Sequence, residues 1–176
     1  AAYEMIKERN SILRKSSRML NTGSEDLPTK IMMMIDSESD LSEKMVALLQ
    51  KTSQSEFMGK LSQVVQVKGV PVLVTYVTEA SIDSLRQMTD IFRGKYPSGI
   101  VALGTVNQEK PSIICAVTED LIQKHGINAG EIVRTAASII EGSGGGRPNL
   151  AQAGGKNPAK INDALAWIMQ LIEEKL

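Results

Sequence analysis

Near Val67 the apolar residues change their period, and that change divides the chain into two kinds of structure. Upstream, apolar side chains recur at helical spacing. Met5, Ile12, Met19 and Leu20 mark a first helix, which Asn21-Thr22-Gly23 stops. Asp26 is placed to cap a second helix, with Pro28 in its first turn. That helix carries Ile31, Met34, Ile35, Leu41, Met45, Leu48 and Leu49, then Phe57, Leu61, Val64 and Val65. Its register loosens over Lys51–Glu56, where Ser and Thr accumulate, and a bend or break is expected there. Two amphipathic helices joined by a short polar loop predict a helical hairpin that is also able to pair with another copy.

Downstream the pattern becomes mixed. Val70–Val77 is rich in β-branched residues and reads as a strand entering through Pro71. Ser81 caps a helix whose apolar face is Ile82, Leu85, Met88, Ile91 and Phe92, ended by Gly94 and Pro97-Ser98-Gly99. Ile100–Val106 and Ser112–Thr118 read as a β-hairpin with the five-residue loop Asn107–Pro111. Leu121 and Ile122 begin a short helical turn that stops at His125-Gly126. Asn128, with Glu131 three residues on, starts a helix carrying Ile132, Val133, Ala136, Ile139 and Ile140. Asn157-Pro158 opens a last helix with Ile161, Leu165, Ile168, Met169 and Ile172 inward.

The expected fold is therefore α+β. A helical hairpin over 1–67 precedes a small mixed α/β domain over 68–176, its sheet of three to four strands flanked by helices. The first residues, Ala1-Ala2-Tyr3-Glu4-Met5, open directly in helical pattern without a signal-peptide layout, so the chain reads as a piece of a longer one. Lys plus Arg equals Asp plus Glu at 20 each, which argues against a strongly basic nucleic-acid protein but not against a local basic patch. With aromatics at 3%, a broad base-stacking platform is not expected. The one cysteine, Cys115, admits no intrachain disulfide and fits a reducing compartment. No apolar run approaches the roughly 18–20 residues of a membrane span.

Between the last two helices lies EGSGGGRPNLAQAGGK, Glu141 to Lys156. Glycine costs backbone entropy on folding, so such a cluster points to positive φ or a close backbone approach. It ends in Arg147, whose guanidinium grips phosphate or stacks on a base. A P-loop is excluded because Gly155-Lys156 is followed by Asn157, which removes the hydroxyl that would hold Mg²⁺. A dinucleotide fingerprint is excluded because the glycines follow a helix rather than a strand. A helix C-cap with a mobile linker explains Gly142 but leaves the other glycines unexplained.

The string Gly144-Gly145-Gly146-Arg147-Pro148-Asn149-Leu150-Ala151-Gln152-Ala153-Gly154-Gly155-Lys156 resembles the signature of the C-terminal domain of alanyl-tRNA synthetases, part of the DHH-associated domain group. Leu85–Asp90, Gly99–Gly104, Ser112–Asp120 and Ala129–Val133 agree with it. The resemblance is close from about Lys68 to the end and looser over the helical pair. It implies a non-catalytic module that contacts the outer corner of an alanine-specific tRNA and helps aminoacylation and editing act on one tRNA. It further implies a cytoplasmic ATP-dependent ligase as parent, with ATP and zinc belonging to other parts of that enzyme. The implied tRNA contacts are Gly144, Gly145, Gly146, Arg147, Gln152, Gly154, Gly155 and Lys156.

No catalytic constellation stands beside this loop. His125 is the sole histidine, so neither Ser-His-Asp chemistry nor a zinc site of usual composition assembles, and no cofactor is expected in this chain. Arg86, Arg93, Lys95, Lys124, Arg134 and Lys160 are able to extend a basic surface, although each taken singly reads as solvated. Two other readings remain. DHH phosphoesterases carry a related domain whose glycine motif usually ends in His rather than Arg147, and the helical pair with Met32, Met33, Met34, Met45 and Met58 is suited to dimerisation.

Overall fold

A computed structural model describes residues 2–176, so Ala1, the first residue of the expected helical opening, lies outside the described residues. The chain divides into two compact units, at Ala47/Leu48.

The first unit holds α1 (Ala2–Met19) and the start of α2 (Leu27–Lys60). Between them the Thr22 amide donates to the Ser17 carbonyl (3.0 Å) and Ser17 Oγ to Ser24 Oγ (3.1 Å). The Asp26 carbonyl accepts the first helical bond of α2 from the Lys30 amide at 2.9 Å. The apolar stripes of both helices remain in solvent: Met19 is 80% exposed and Leu41 69%.

In the second unit α2 runs unbroken through Lys51–Glu56, where a bend was expected. The hydroxyls that accumulate there turn back onto their own helix, Thr52 to the Leu48 carbonyl and Ser53 to that of Gln50, instead of competing with it. Phe57 and Leu61 are buried in the globular core, so the end of α2 belongs to this unit rather than to the helical pair. Glu56 and Lys60 form an ion pair at 2.7 Å. Lys60 Nζ donates to the Tyr76 carbonyl, and Glu56 accepts from the Thr78 amide at 3.1 Å.

The sheet has six strands, against the three to four expected: β1 (Val65–Val67), β2 (Val70–Tyr76), β3 (Ile100–Asn107), β4 (Lys110–Val117), β5 (Ser143–Arg147) and β6 (Leu150–Gly154). Their spatial order is β1-β2-β3-β4-β6-β5. Only β2 and β3 pair in parallel, crossing over through α3 (Ile82–Lys95), which starts as expected with Ser81 Oγ accepting from the Ser84 amide. Gly94 lies inside the last turn of α3, which Tyr96 closes by donating to the Phe92 carbonyl. The β3–β4 loop is two residues and not five. Pairing continues to Asn107 opposite Lys110, and Gln108 and Glu109 both take positive φ, the geometry that suits the strand twist.

Side chains alternate between two core layers. Val72, Ile100, Ala102, Ile113, Cys115 and Val117 face α5 (Ala129–Ile139), α6 (Ile161–Lys175) and Leu121 of α4 (Glu119–His125). Leu73, Val101, Leu103, Ile114 and Ala116 face α3 and the end of α2. Asn128 caps α5 through its side chain, accepting from the Gly130 amide at 2.8 Å, and Gly126 ends α4 in left-handed geometry. A three-residue 3-10 turn, Pro158–Lys160, leads into α6.

Candidate nucleic-acid interface

The glycine-rich segment is a β-hairpin rather than a loop. Arg147 pairs with Leu150 across the two-residue turn Pro148-Asn149. The carbonyls of that turn are tied down, Pro148 accepting from the Ala129 amide (2.8 Å) and Asn149 from that of Val117 (3.2 Å). At the other end the Ile140 carbonyl accepts from the amides of Lys156 (2.9 Å) and Asn157 (3.1 Å), and Gly155 donates to the Pro111 carbonyl. The hairpin is therefore anchored at the start and end of α5.

Directly opposed residues share a face of the sheet. Gly144 pairs with Ala153 and Gly146 with Ala151, and both alanines are buried on the α5 side. A Cβ at Gly144 would stand 2.5 Å from that of Ala153, and one at Gly146 2.5 Å from the Ala151 Cα. These two glycines are required by close packing. Gly145 points the other way, opposite Gln152, and a Cβ there would meet nothing within 4 Å.

That second face is uncovered. Buried Ile114 and half-buried Leu150 pack toward α3, and a groove of about 450 Å³ lies between that helix and the terminal hairpin. Gly145, Leu150 and Gln152 line the sheet side, Arg147 the turn end, and Arg86 and Arg93 the helix side. The two helix arginines lie seven residues apart, two turns of α3, and so on one face. Arg86 donates from Nη2 to Gln152 Oε1 at 2.7 Å and pairs through Nη1 with Asp83 at 3.2 Å. Among the described residues Arg93 and Arg147 have no ion pair. Two unpaired guanidiniums beside bare backbone make a surface that attracts an anion and offers planar forks for phosphate or faces for a base.

The eight expected contact residues do not form one cluster. Gly145, Gly146, Arg147 and Gln152 line this groove, and Gly144 lies under the α5 face. Gly154, Gly155 and Lys156 line a shallow depression at the opposite end of the hairpin, with Glu141 and Ser143. Arg86 and Arg93 complete the groove. Their seven-residue spacing was the available signal, but only the hairpin's place beside α3 gives it meaning. Cys115 is fully buried, with burial pushing its thiol up to about 12, and no cluster of three metal-ligating side chains occurs among the described residues.

A profile of the DHHA1 domain matches residues 69–174, and the chain belongs to that family. Among individual proteins it is similar to part of the alanine–tRNA ligases. It is 36% identical over 173 residues to that of Bacillus cytotoxicus, covering 98% of this chain and 20% of the ligase. To that of Oceanobacillus iheyensis it is 36% identical over 171 residues, covering 97% and 19%. The chain thus spans about a fifth of the length of these curated relatives. Its fold is similar to the crystal structure of the C-Ala domain from Aquifex aeolicus alanyl-tRNA synthetase, with a TM-score of 0.54 and 26% identity over 59% of this chain and 92% of that one.

Proposed function

We propose that this chain is the tRNA-binding C-terminal part of a cytoplasmic, ATP-dependent alanine–tRNA ligase, non-catalytic by itself. In this reading it holds the outer corner of the tRNA so that aminoacylation and editing act on the same molecule. The observation that carries the reading is Gly145. Of the three glycines in β5 it alone is not required by packing, and it lies in the groove of Arg86, Arg93 and Arg147. A missing side chain there lets a ribose or phosphate reach the sheet, where Arg147 forks onto phosphate or stacks on a splayed base. The likeness to alanine–tRNA ligases covers 98% of the chain, helical pair included, which favours a synthetase over a phosphoesterase as the parent.

Because only three arginines line the groove, few phosphates are neutralised, so the counterion-release contribution is small and the salt slope shallow. Recognition then rests on shape and a few placed contacts, with the rest of the enzyme adding affinity. Footprinting on an alanine-accepting tRNA should protect the elbow, and Arg147→Ala should erase that protection while the fold persists. Protection confined to the acceptor end would contradict the reading.

A second reading, self-association through α1 and α2, is favoured by the exposed residues Met5, Ile12, Met19, Ile31, Leu41 and Met45 along both helices. Sedimentation of the chain with and without residues 1–47 tests it. A monomer at all concentrations in both forms would dismiss it.

A further inference from the structure

We infer that Arg86 is a positioning residue for the groove, holding the Gln152 amide so that its NH₂ faces bound RNA as a hydrogen-bond donor. The inference rests on the groove being the RNA site. An arginine carries donors only, so the Gln152 atom 2.7 Å from Arg86 Nη2 has to be the carbonyl oxygen. The amide is planar, and binding its oxygen to α3 turns its NH₂ away from that helix. Gln152 is exposed, and among the described residues its side-chain hydrogen bond is the one through its oxygen, which leaves the NH₂ to solvent or a ligand.

Two further features make the orientation stable and useful. The other arm of the same guanidinium is held by Asp83 at 3.2 Å, so a relay runs from the first turn of α3 through Arg86 to β6. Across the hairpin, the partner of Gln152 is Gly145, which puts no side chain between the amide and the groove. With Arg86 turned to Gln152, three side chains of the groove present donors, the guanidiniums of Arg93 and Arg147 and this NH₂, beside Asn149 at the turn. Such a surface favours acceptors, meaning phosphate and ribose oxygens or the O6 and N7 edge of guanine, over exocyclic amines.

The test is a double-mutant cycle on the full 176-residue chain, using an unmodified alanine-accepting tRNA transcript at fixed salt. Gln152→Ala should weaken binding about five- to tenfold, as expected for one lost hydrogen bond. Arg86→Met should weaken the wild type about fivefold but the Gln152→Ala chain less than about twofold, because its effect passes through the amide. Both side chains are exposed, so thermal midpoints should hold and the cycle should report binding alone. Equal losses from Arg86→Met in the two backgrounds would overturn the inference, since a guanidinium acting only by its charge behaves that way. So would wild-type affinity in either single variant. If the wild-type chain itself fails to bind the transcript, the RNA reading of the groove falls, and this inference with it. Normal wild-type binding with additive losses removes the inference alone.

Discussion

Gly144 stands directly opposite Ala153 in the terminal hairpin, and a methyl group added to Gly144 would come within 2.5 Å of the alanine's own. The adjacent pair behaves in the opposite way. Gly145 faces Gln152 with open space above it. Successive glycines of one strand therefore serve different ends, one letting the hairpin close under α5 and the next leaving room in a groove.

Substitution at these two positions should separate stability from binding. Gly144→Ala should lower unfolding stability by about 1–3 kcal/mol, the usual cost of overpacking. Gly145→Ala should leave stability unchanged or slightly raised, because the unfolded chain loses freedom at no steric cost. It should nonetheless weaken binding of a tRNA transcript several-fold. Denaturant midpoints and a binding titration on both variants check this, and equal destabilisation by the two would contradict the assignment of faces.

What could be read from the residues follows what side chains report. The period of α1 and α2, the caps at Ser81 and Asn128 and the β-branched run at Val70 are side-chain signals, and they placed those elements. β5 is Ser-Gly-Gly-Gly-Arg and shows no alternation, because glycine has no side chain to display it. Its strand form comes from long-range pairing with β6 and from the approach of α5, neither of which is local. The β3–β4 hairpin was expected, but with a turn of five residues instead of two, since Gln108 and Glu109 take positive φ without the usual Asn or Gly. Phe57 and Leu61 follow the α2 helical pattern yet pack in the globular core, a destination that periodicity cannot name. The groove depended on the same tertiary facts: Arg147 stood out from its motif, while Arg86 and Arg93 looked like ordinary solvated helix residues.

The Glu56–Lys60 clamp predicts acid sensitivity. Partial burial raises the Glu56 pKa, but hydrogen bonds and charge from Lys60 and the Thr78 amide outweigh it, so the carboxyl lies below its ordinary value. A depressed folded pKa adds stability above the unfolded value, and that stability is lost as pH falls through the folded one. Glu56→Gln should therefore be less stable than wild type near neutrality, and the gap should shrink as pH falls below the ordinary carboxylate range. Unfolding curves from neutral to acid pH read this directly. A gap of constant size would show that the clamp acts without ionisation.

Cys115 should be silent in the folded protein. It lies mid-strand in β4, fully buried, with its thiol pushed up to about 12 by that burial. Thiolate is the reactive form, so alkylation at neutral pH should proceed only through unfolding. The labelling rate should rise with denaturant in step with loss of structure. Rapid labelling of the native chain would contradict the core position of β4.

Recognition of a tRNA corner by the hairpin groove, as proposed, can be tested directly. Affinity should be measured at one salt concentration for an intact alanine-accepting transcript and for a minihelix lacking the corner, with wild-type and Arg147→Ala chains. Wild type should prefer the intact tRNA by at least about tenfold, and Arg147→Ala should remove most of that preference. Equal affinity of the wild-type chain for both RNAs would contradict it.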